Sequence, residues 1–389
     1  MNPCIHCGTC LNRCVYMQLD LVEAAAEMTR LDAGEPTPHI DRECMSCAAC
    51  DVFCPEDAEP YTRILQRFYA RYVAHGLPER VRYFMPTLPD NFRSYVLSRL
   101  PDDEQRLVAQ WADNEPAGDV LYPGCNLITC AYLTESGVFD DLTIAGSLEA
   151  CCGEMYFRFG LFDVVRRFAE KHTAYYRDRP IDRMVFACPA GLNMFQHILP
   201  ERFGAQFDFP MMFVTDYLHE LFDAGTLQVV NPLRGKVVMH DSCHARWLGP
   251  ELMDSVRRLL TRLGLDVVEA EHSREDGFCC GIAAGAPRQS LQDMTLAVTR
   301  AATEYQRSEG ENVATYCTGC YLTLASLPAG FGLGKPVRHV LEWVAEAVGR
   351  PVEDRIGSRV RTMLLGIVQN ALPRYLSRQR FFIGGGSDK

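Results

Sequence analysis

MNPCIHCGTCLNRC (residues 1–14) and ECMSCAACDVFCPED (residues 43–57) hold eight cysteines in two runs of one design. Each run steps Cys-x2-Cys-x2-Cys-x3-Cys: Cys4, Cys7, Cys10 and Cys14, then Cys44, Cys47, Cys50 and Cys54, with Pro55 after the last. Three thiolates at steps of three residues wrap one corner of a cubane [4Fe-4S] cluster, and the fourth ligand arrives from the other run. The spacing predicts Cys4, Cys7, Cys10 and Cys54 on one cubane, and Cys44, Cys47, Cys50 and Cys14 on a second. Structural zinc usually takes two separated Cys-x2-Cys pairs. The third and fourth cysteines of each run, present twice, argue against it.

The chain of 389 residues is longer than one hydrophobic core usually grows, so two or three domains are expected. Its formal charge of -11 argues against a general nucleic-acid surface, which needs clustered Lys and Arg. The opening residues predict no secretory signal, because Cys7, Cys10 and Cys14 interrupt any apolar run. A cytoplasmic setting follows, where disulfides rarely persist and the eighteen cysteines serve another purpose. No stretch approaches the roughly 20 apolar residues of a membrane span, which leaves membrane association peripheral or through a partner.

Between the runs, LVEAAAEMTRLD (21–32) reads as a helix with Leu21, Ala25, Met28 and Leu31 on one stripe. A second helix follows Pro60, and Pro86 and Pro89 mark turns. From about residue 118 the pattern changes. DVLYPGCN resembles KVVMHDSCH, a short strand then a turn bearing Cys125 or Cys243; EACCGEM matches GFCCGIA; MVFACPAG matches VATYCTGC. These read as two copies of one α/β unit with cysteines at the carboxyl ends of strands. The expected organisation is α+β: a helical two-cluster ferredoxin-like domain with linker over 1–117, cysteine-rich α/β halves over 118–230 and 231–349, and a basic extension over 350–389.

The halves differ chemically. The second offers Cys243, Cys279, Cys280, Cys317 and Cys320; the first offers Cys125, Cys151, Cys152 and Cys188 but has Gly191 where a fifth thiol would fall. A complete metal site is expected in the second half and a lost or altered one in the first. Adjacent cysteines suit an ordinary cubane poorly, so a wider cluster, a vicinal disulfide, zinc or merely buried thiols all remain readings of the pair. Cys130 lies outside both patterns, as a core thiol or a replacement ligand. Gly153 and Gly281 relieve backbone crowding after the paired cysteines. His240 and His244 flank Cys243 as candidates to bond a cluster sulfur or move a proton, with His244 expected in the loop. Gly332 and Gly334 lack nucleotide-loop spacing and read as a turn.

The cysteine runs resemble a bacterial two-cluster ferredoxin, with Val15 replacing the proline that usually follows the fourth cysteine. Together with Cys243, GFCCG (277–281) and CTGC (317–320), they resemble the iron-sulfur subunits of the heterodisulfide reductase family, which includes those of glycolate, lactate and glycerol-3-phosphate dehydrogenases. That resemblance implies a noncubane [4Fe-4S] cluster on Cys243, Cys279, Cys280, Cys317 and Cys320, and it fails at Gly191. It implies an electron-transfer subunit of a multisubunit oxidoreductase; His244, from its place beside Cys243, is the candidate catalytic residue. Alternatives are a heterodisulfide-reductase-like catalytic subunit acting on a thiol-disulfide substrate, and a metal-stabilised assembly scaffold. No flavin motif appears, so a flavoprotein partner is expected, with indirect membrane or quinone linkage. Arg350, Arg355, Arg359, Arg361, Arg374, Arg378 and Arg380 make the C-terminus basic beside apolar Met363, Leu364, Ile367 and Val368. That segment reads as a helix on its own core, a subunit contact or a peripheral membrane contact.

Overall fold

Asp20 starts the helix Leu21–Asp32, its carboxylate accepting from the Glu23 N–H at 2.9 Å. The buried face is Ala24, Glu27, Met28 and Leu31, one residue round from the expected stripe, and Leu21 is exposed. Glu27 is the reason. Its buried carboxylate accepts from the backbone N–H groups of His39 and Ile40, each at 2.8 Å, so the helix turns it inward to tie down the approach to the second cysteine run. The next long helix, Pro60–His75, begins on proline and buries Tyr61, Ile64, Leu65, Phe68 and Tyr72 at helical spacing. A two-residue strand, β1 (Leu77–Pro78), follows it. The computed structural model describes residues 2–384; of the terminal GGGSDK, expected as a flexible end, residues 385–389 lie outside the described residues.

Beyond this helical region stand two four-stranded parallel sheets. The first comprises β2 (Gly118–Tyr122), β3 (Thr143–Ile144), β4 (Ile181–Phe186) and β5 (Met211–Phe213), in the order β3-β2-β4-β5. The second comprises β6 (Lys236–His240), β7 (Asp266–Val268), β8 (Asn312–Thr315) and β9 (Val337–His339), in the order β7-β6-β8-β9. The strand order is the same in both. In each sheet the order of strand addition reverses between the two central strands, and the crevice beyond their carboxyl ends is where parallel sheets present ligands. Cys125 and Cys188 follow β2 and β4; Cys243 and Cys317 follow β6 and β8.

The C-terminal segment returns to the helical region. Its helix Ile356–Gly366 is followed by β10 (Arg380–Phe381), which pairs antiparallel with β1. Met363 and Ile367 pack against Tyr83, Phe92 and Ala371, whereas Leu365, Val368, Leu372 and Leu376 are exposed. Two of the expected basic residues are already paired. Fully buried Glu104 accepts from Arg355 at 2.6 Å and from Arg359, and its other oxygen accepts from the Tyr132 N–H at 3.3 Å. Removing one partner of a buried ion pair costs about 3–5 kcal/mol. Glu104→Ala should therefore lower the anaerobic unfolding free energy by about that amount and open residues 350–384 to trypsin. Unchanged stability with an unchanged digestion pattern would show that the segment is held by other contacts.

Candidate iron-sulfur centres

The two N-terminal runs share a backbone design. The second residue after the first cysteine of each, His6 and Ser46, has φ of 53° and 56°; the fourth, Gly8 and Ala48, has 77° and 63°. Such left-handed residues turn successive thiols toward one point, and three of the four are not glycine, a strain typical of ligand-holding loops. One cavity is lined by Cys4, Cys7, Cys10 and Cys54 with Met28 and Pro55. Another is lined by Cys14, Cys44, Cys47 and Cys50 with Tyr16 and Arg246. Backbone N–H groups of His6, Ser46 and Ala58 point at the sulfurs of Cys4, Cys44 and Cys54 at 3.3–3.4 Å. Burial pushes Cys10 and Cys44 each up to about 12 and Cys14 up to about 11. Buried thiols gathered four at a time suit a cationic iron-sulfur core, which takes them as thiolates and satisfies them together.

The second sheet carries a continuous thiol cluster. Cys243 meets Cys279, Cys280 meets Cys279 and Cys320, and Cys320 meets Cys317. The Sγ of Cys317 lies 4.0 Å from that of Cys188, across the two halves. Hydrogen bonding from Cys279 and Cys320 draws Cys280 down to about 6, while contact with Cys279 and burial raise Cys243. Five buried thiols in mutual contact are the kind of donor set that a multinuclear centre takes as thiolates. Gly281 makes the turn possible: its φ is +97°, and a Cβ there would stand 2.7 Å from the Met294 carbonyl oxygen.

In the first half, Cys125 meets Cys151, and Cys151 meets Cys152. Gly191 does not leave an empty place. A Cβ on it would lie 3.2 Å from the Phe186 ring and 3.3 Å from that of Tyr122, whose hydroxyl donates to the Ala150 carbonyl at 2.5 Å. Cys130 sits apart, buried beside Thr129 and pushed up to about 12 by burial.

Four residues that the sequence reading did not single out join these groups. Tyr16 accepts from the Cys279 N–H at 2.8 Å and packs with Met45 and Cys279, against which Cys14 and Cys47 also lie. Arg158 donates to Cys243 Sγ at 2.8 Å and also to Glu154 and to the Ser46 carbonyl. Buried Arg246 borders the Cys14 cavity and donates to the Gly277 carbonyl. Glu154 accepts from His244 Nε2 at 2.8 Å, and His244 Nδ1 accepts from Asn193 at 3.0 Å. Both nitrogens of His244 are therefore engaged by polar residues. His240 is placed differently: a ring nitrogen lies in one group with the sulfurs of Cys280 and Cys320, all within 4.8 Å of one another, and Nε2 is the one left free by the Nδ1 contact to the Tyr305 hydroxyl. The only sequence signal for Glu154 was its presence after one paired-cysteine motif and absence after the other, where Ile282 stands.

Residues 3–59 match the 4Fe-4S dicluster domain family, and residues 237–325 match the cysteine-rich (CCG) domain family. The chain joins a 4Fe-4S ferredoxin domain to a CCG domain, related at low identity to heterodisulfide-reductase-type iron-sulfur subunits. It is 24% identical to one subunit of the dihydromethanophenazine:CoB--CoM heterodisulfide reductase of Methanosarcina barkeri, over 79% of this chain and 77% of that one. It is 23% identical to the EtfAB:quinone oxidoreductase of Syntrophomonas wolfei, over 73% of this chain and 43% of that one. It is 31% identical to the probable iron-sulfur-binding oxidoreductase FadF of Bacillus subtilis, over 62% of this chain and 37% of that one. The chain thus spans less than half the length of the last two. No helix among the described residues is long and apolar enough to cross a membrane.

The ion-pair group at this junction has a pH signature. Burial alone would raise Glu154, but Arg158 and His244 overcome it and hold the carboxyl down to about 2. A depressed carboxylate stabilises the fold above its unfolded value and loses that contribution as pH falls through the folded one, about 3 kcal/mol in all. Glu154→Gln should therefore be less stable than the wild type by about 3 kcal/mol at neutral pH. The gap should narrow as pH drops below about 5, read by anaerobic denaturant unfolding. A gap independent of pH would contradict this origin.

Proposed function

We propose that the chain is an iron-sulfur electron-transfer subunit of a multisubunit oxidoreductase. Cys4, Cys7, Cys10 and Cys54 hold one cubane; Cys44, Cys47, Cys50 and Cys14 hold a second. Cys243, Cys279, Cys280, Cys317 and Cys320 hold a noncubane [4Fe-4S] centre. When bound, such clusters accept and release single electrons. The chain's part is to space them, exclude water and hydrogen-bond their sulfurs. The observation that carries the reading is the Tyr16 contact: the Cys279 N–H bonds its hydroxyl at 2.8 Å, and its ring packs in the same cluster as Cys14 and Cys47. The inner ferredoxin set therefore adjoins the CCG set through one residue.

The outer set, with Cys4 half-buried and Ile5 exposed, is the edge offered to a partner. Similarity to the EtfAB:quinone oxidoreductase supports a flavoprotein or quinone-linked partner, since one-electron centres serve a two-electron carrier by relaying electrons singly. The two sheets of like strand order support the reading of two copies of one unit, of which the first has lost its centre. Catalysis by a symmetric pair of noncubane centres is disfavoured by Tyr122 and Phe186 at Gly191. His244, with Glu154, is assigned to holding Arg158 against Cys243.

Two cubanes and one further four-iron centre give about twelve irons per chain under strict oxygen exclusion. Iron and acid-labile sulfide analysis should find this, with Cys280→Ser losing four irons and electron transfer in the intact complex, and Cys152→Ser losing neither. A wild-type value near eight removes the third centre. Equal loss in the Cys152 variant would return the first half to the electron path.

A further inference from the structure

His240 ends β6, and its position in the first half is taken by Tyr122 at the end of β2. The residue each ring faces differs in step. Tyr122 lies against Gly191, whereas His240 shares its group with Cys320, the residue that aligns with Gly191, and with Cys280. Ring and partner have thus changed together: a phenol fills the space beside glycine, and a smaller imidazole leaves room beside a thiol.

The surroundings of His240 favour one tautomer. Nδ1 lies 2.5 Å from the Tyr305 hydroxyl, while Nε2 is buried and has no hydrogen-bond partner among the described residues. His240 is 1% exposed and Tyr305 is 3% exposed, so both groups lie away from bulk solvent. If Nδ1 carried the proton, a bare Nε2 lone pair would face the lone pairs of two sulfurs, a repulsive arrangement in a dry site. With Tyr305 donating to Nδ1, Nε2 carries the proton and turns it toward the sulfurs, which accept. An unpaired buried N–H costs about 1–3 kcal/mol, and an anionic sulfur centre beside Cys280 and Cys320 removes that cost. Hydrogen bonds to cluster sulfur are among the factors that set its potential, because they favour the more negative, reduced form.

We infer that His240 belongs to the second-half centre, donating its Nε2–H to a sulfur beside Cys280 and Cys320, with Tyr305 holding the ring in that tautomer. This rests on the proposed noncubane centre in the second half. His240 is a positioning and tuning residue there, not an iron ligand, since five thiolates supply the coordination. Tyr122 has no such role: its hydroxyl is spent on the Ala150 carbonyl.

The test uses the intact anaerobic protein. In the wild type, pulsed electron-nuclear spectroscopy of the reduced second-half centre should show a weak ring-nitrogen coupling and a proton that exchanges in D2O. Both signals should vanish in His240→Leu, with about twelve irons retained and the midpoint potential of that centre shifted downward while the cubane potentials stay fixed. Tyr305→Phe, which keeps the imidazole but frees its tautomer, should give a smaller downward shift. A strong coupling typical of direct iron-nitrogen bonding would overturn donation in favour of ligation. A wild-type centre with no nitrogen coupling, or an unmoved potential in an iron-complete His240→Leu, would overturn the inference while leaving the third centre intact. If His240→Leu assembles no centre, the wild-type spectrum and Tyr305→Phe decide. A wild-type chain with only eight irons overturns the underlying reading, and this inference with it.

Discussion

One buried guanidinium joins the three parts of the molecule. Arg158, 3% exposed, donates to the Ser46 carbonyl in the second cysteine run, to Glu154 beside the first paired cysteines, and to Cys243 in the second half. A charge buried so deeply is tolerated only when paired and hydrogen-bonded. Its partners are correspondingly fixed: Ser46 by Tyr61 at 2.5 Å, Glu154 by His244 at 2.8 Å. Separating the ferredoxin region from the paired sheets would break the bond from this cation to the Ser46 carbonyl. The neighbouring Tyr16 contact to Cys279 depends on the same docking.

From that fixed junction the asymmetry of the halves follows. Glu154 belongs to the first half, but the thiol its partner Arg158 serves, Cys243, belongs to the second. The first half thus supplies structure to the second half's sulfur set, and Cys188 reaches within 4.0 Å of Cys317. Its own fifth position, Gly191, is tightly bordered by the Tyr122 and Phe186 rings. Two sheets of like strand order thus meet in an interface that constrains both, with the continuous five-thiol set on the second.

Much of this was legible in sequence because cysteine spacing and strand-turn patterns are local. The helical ferredoxin region, the α/β character after residue 118 and the cysteines at strand ends all follow from short windows. What escaped depends on contacts between distant segments. The first helix turned by one residue because Glu27 serves the amides of His39 and Ile40. Arg355 and Arg359 looked like free basic charge because Glu104 lies some 250 residues earlier in the chain. His244 drew attention by standing next to Cys243, yet His240, at the end of the strand, has the ring nitrogen beside the thiols.

The central claim is that the inner ferredoxin set and the second-half set adjoin through Tyr16 and act as one electron path. Their magnetic interaction tests it most directly: in the fully reduced protein, the resonance of the cubane on Cys14, Cys44, Cys47 and Cys50 should be split or broadened by the second-half centre. That interaction should disappear in Cys280→Ser while the cubane signal itself persists. Sharp, independent signals in the fully reduced wild type, unchanged by Cys280→Ser, would contradict the account.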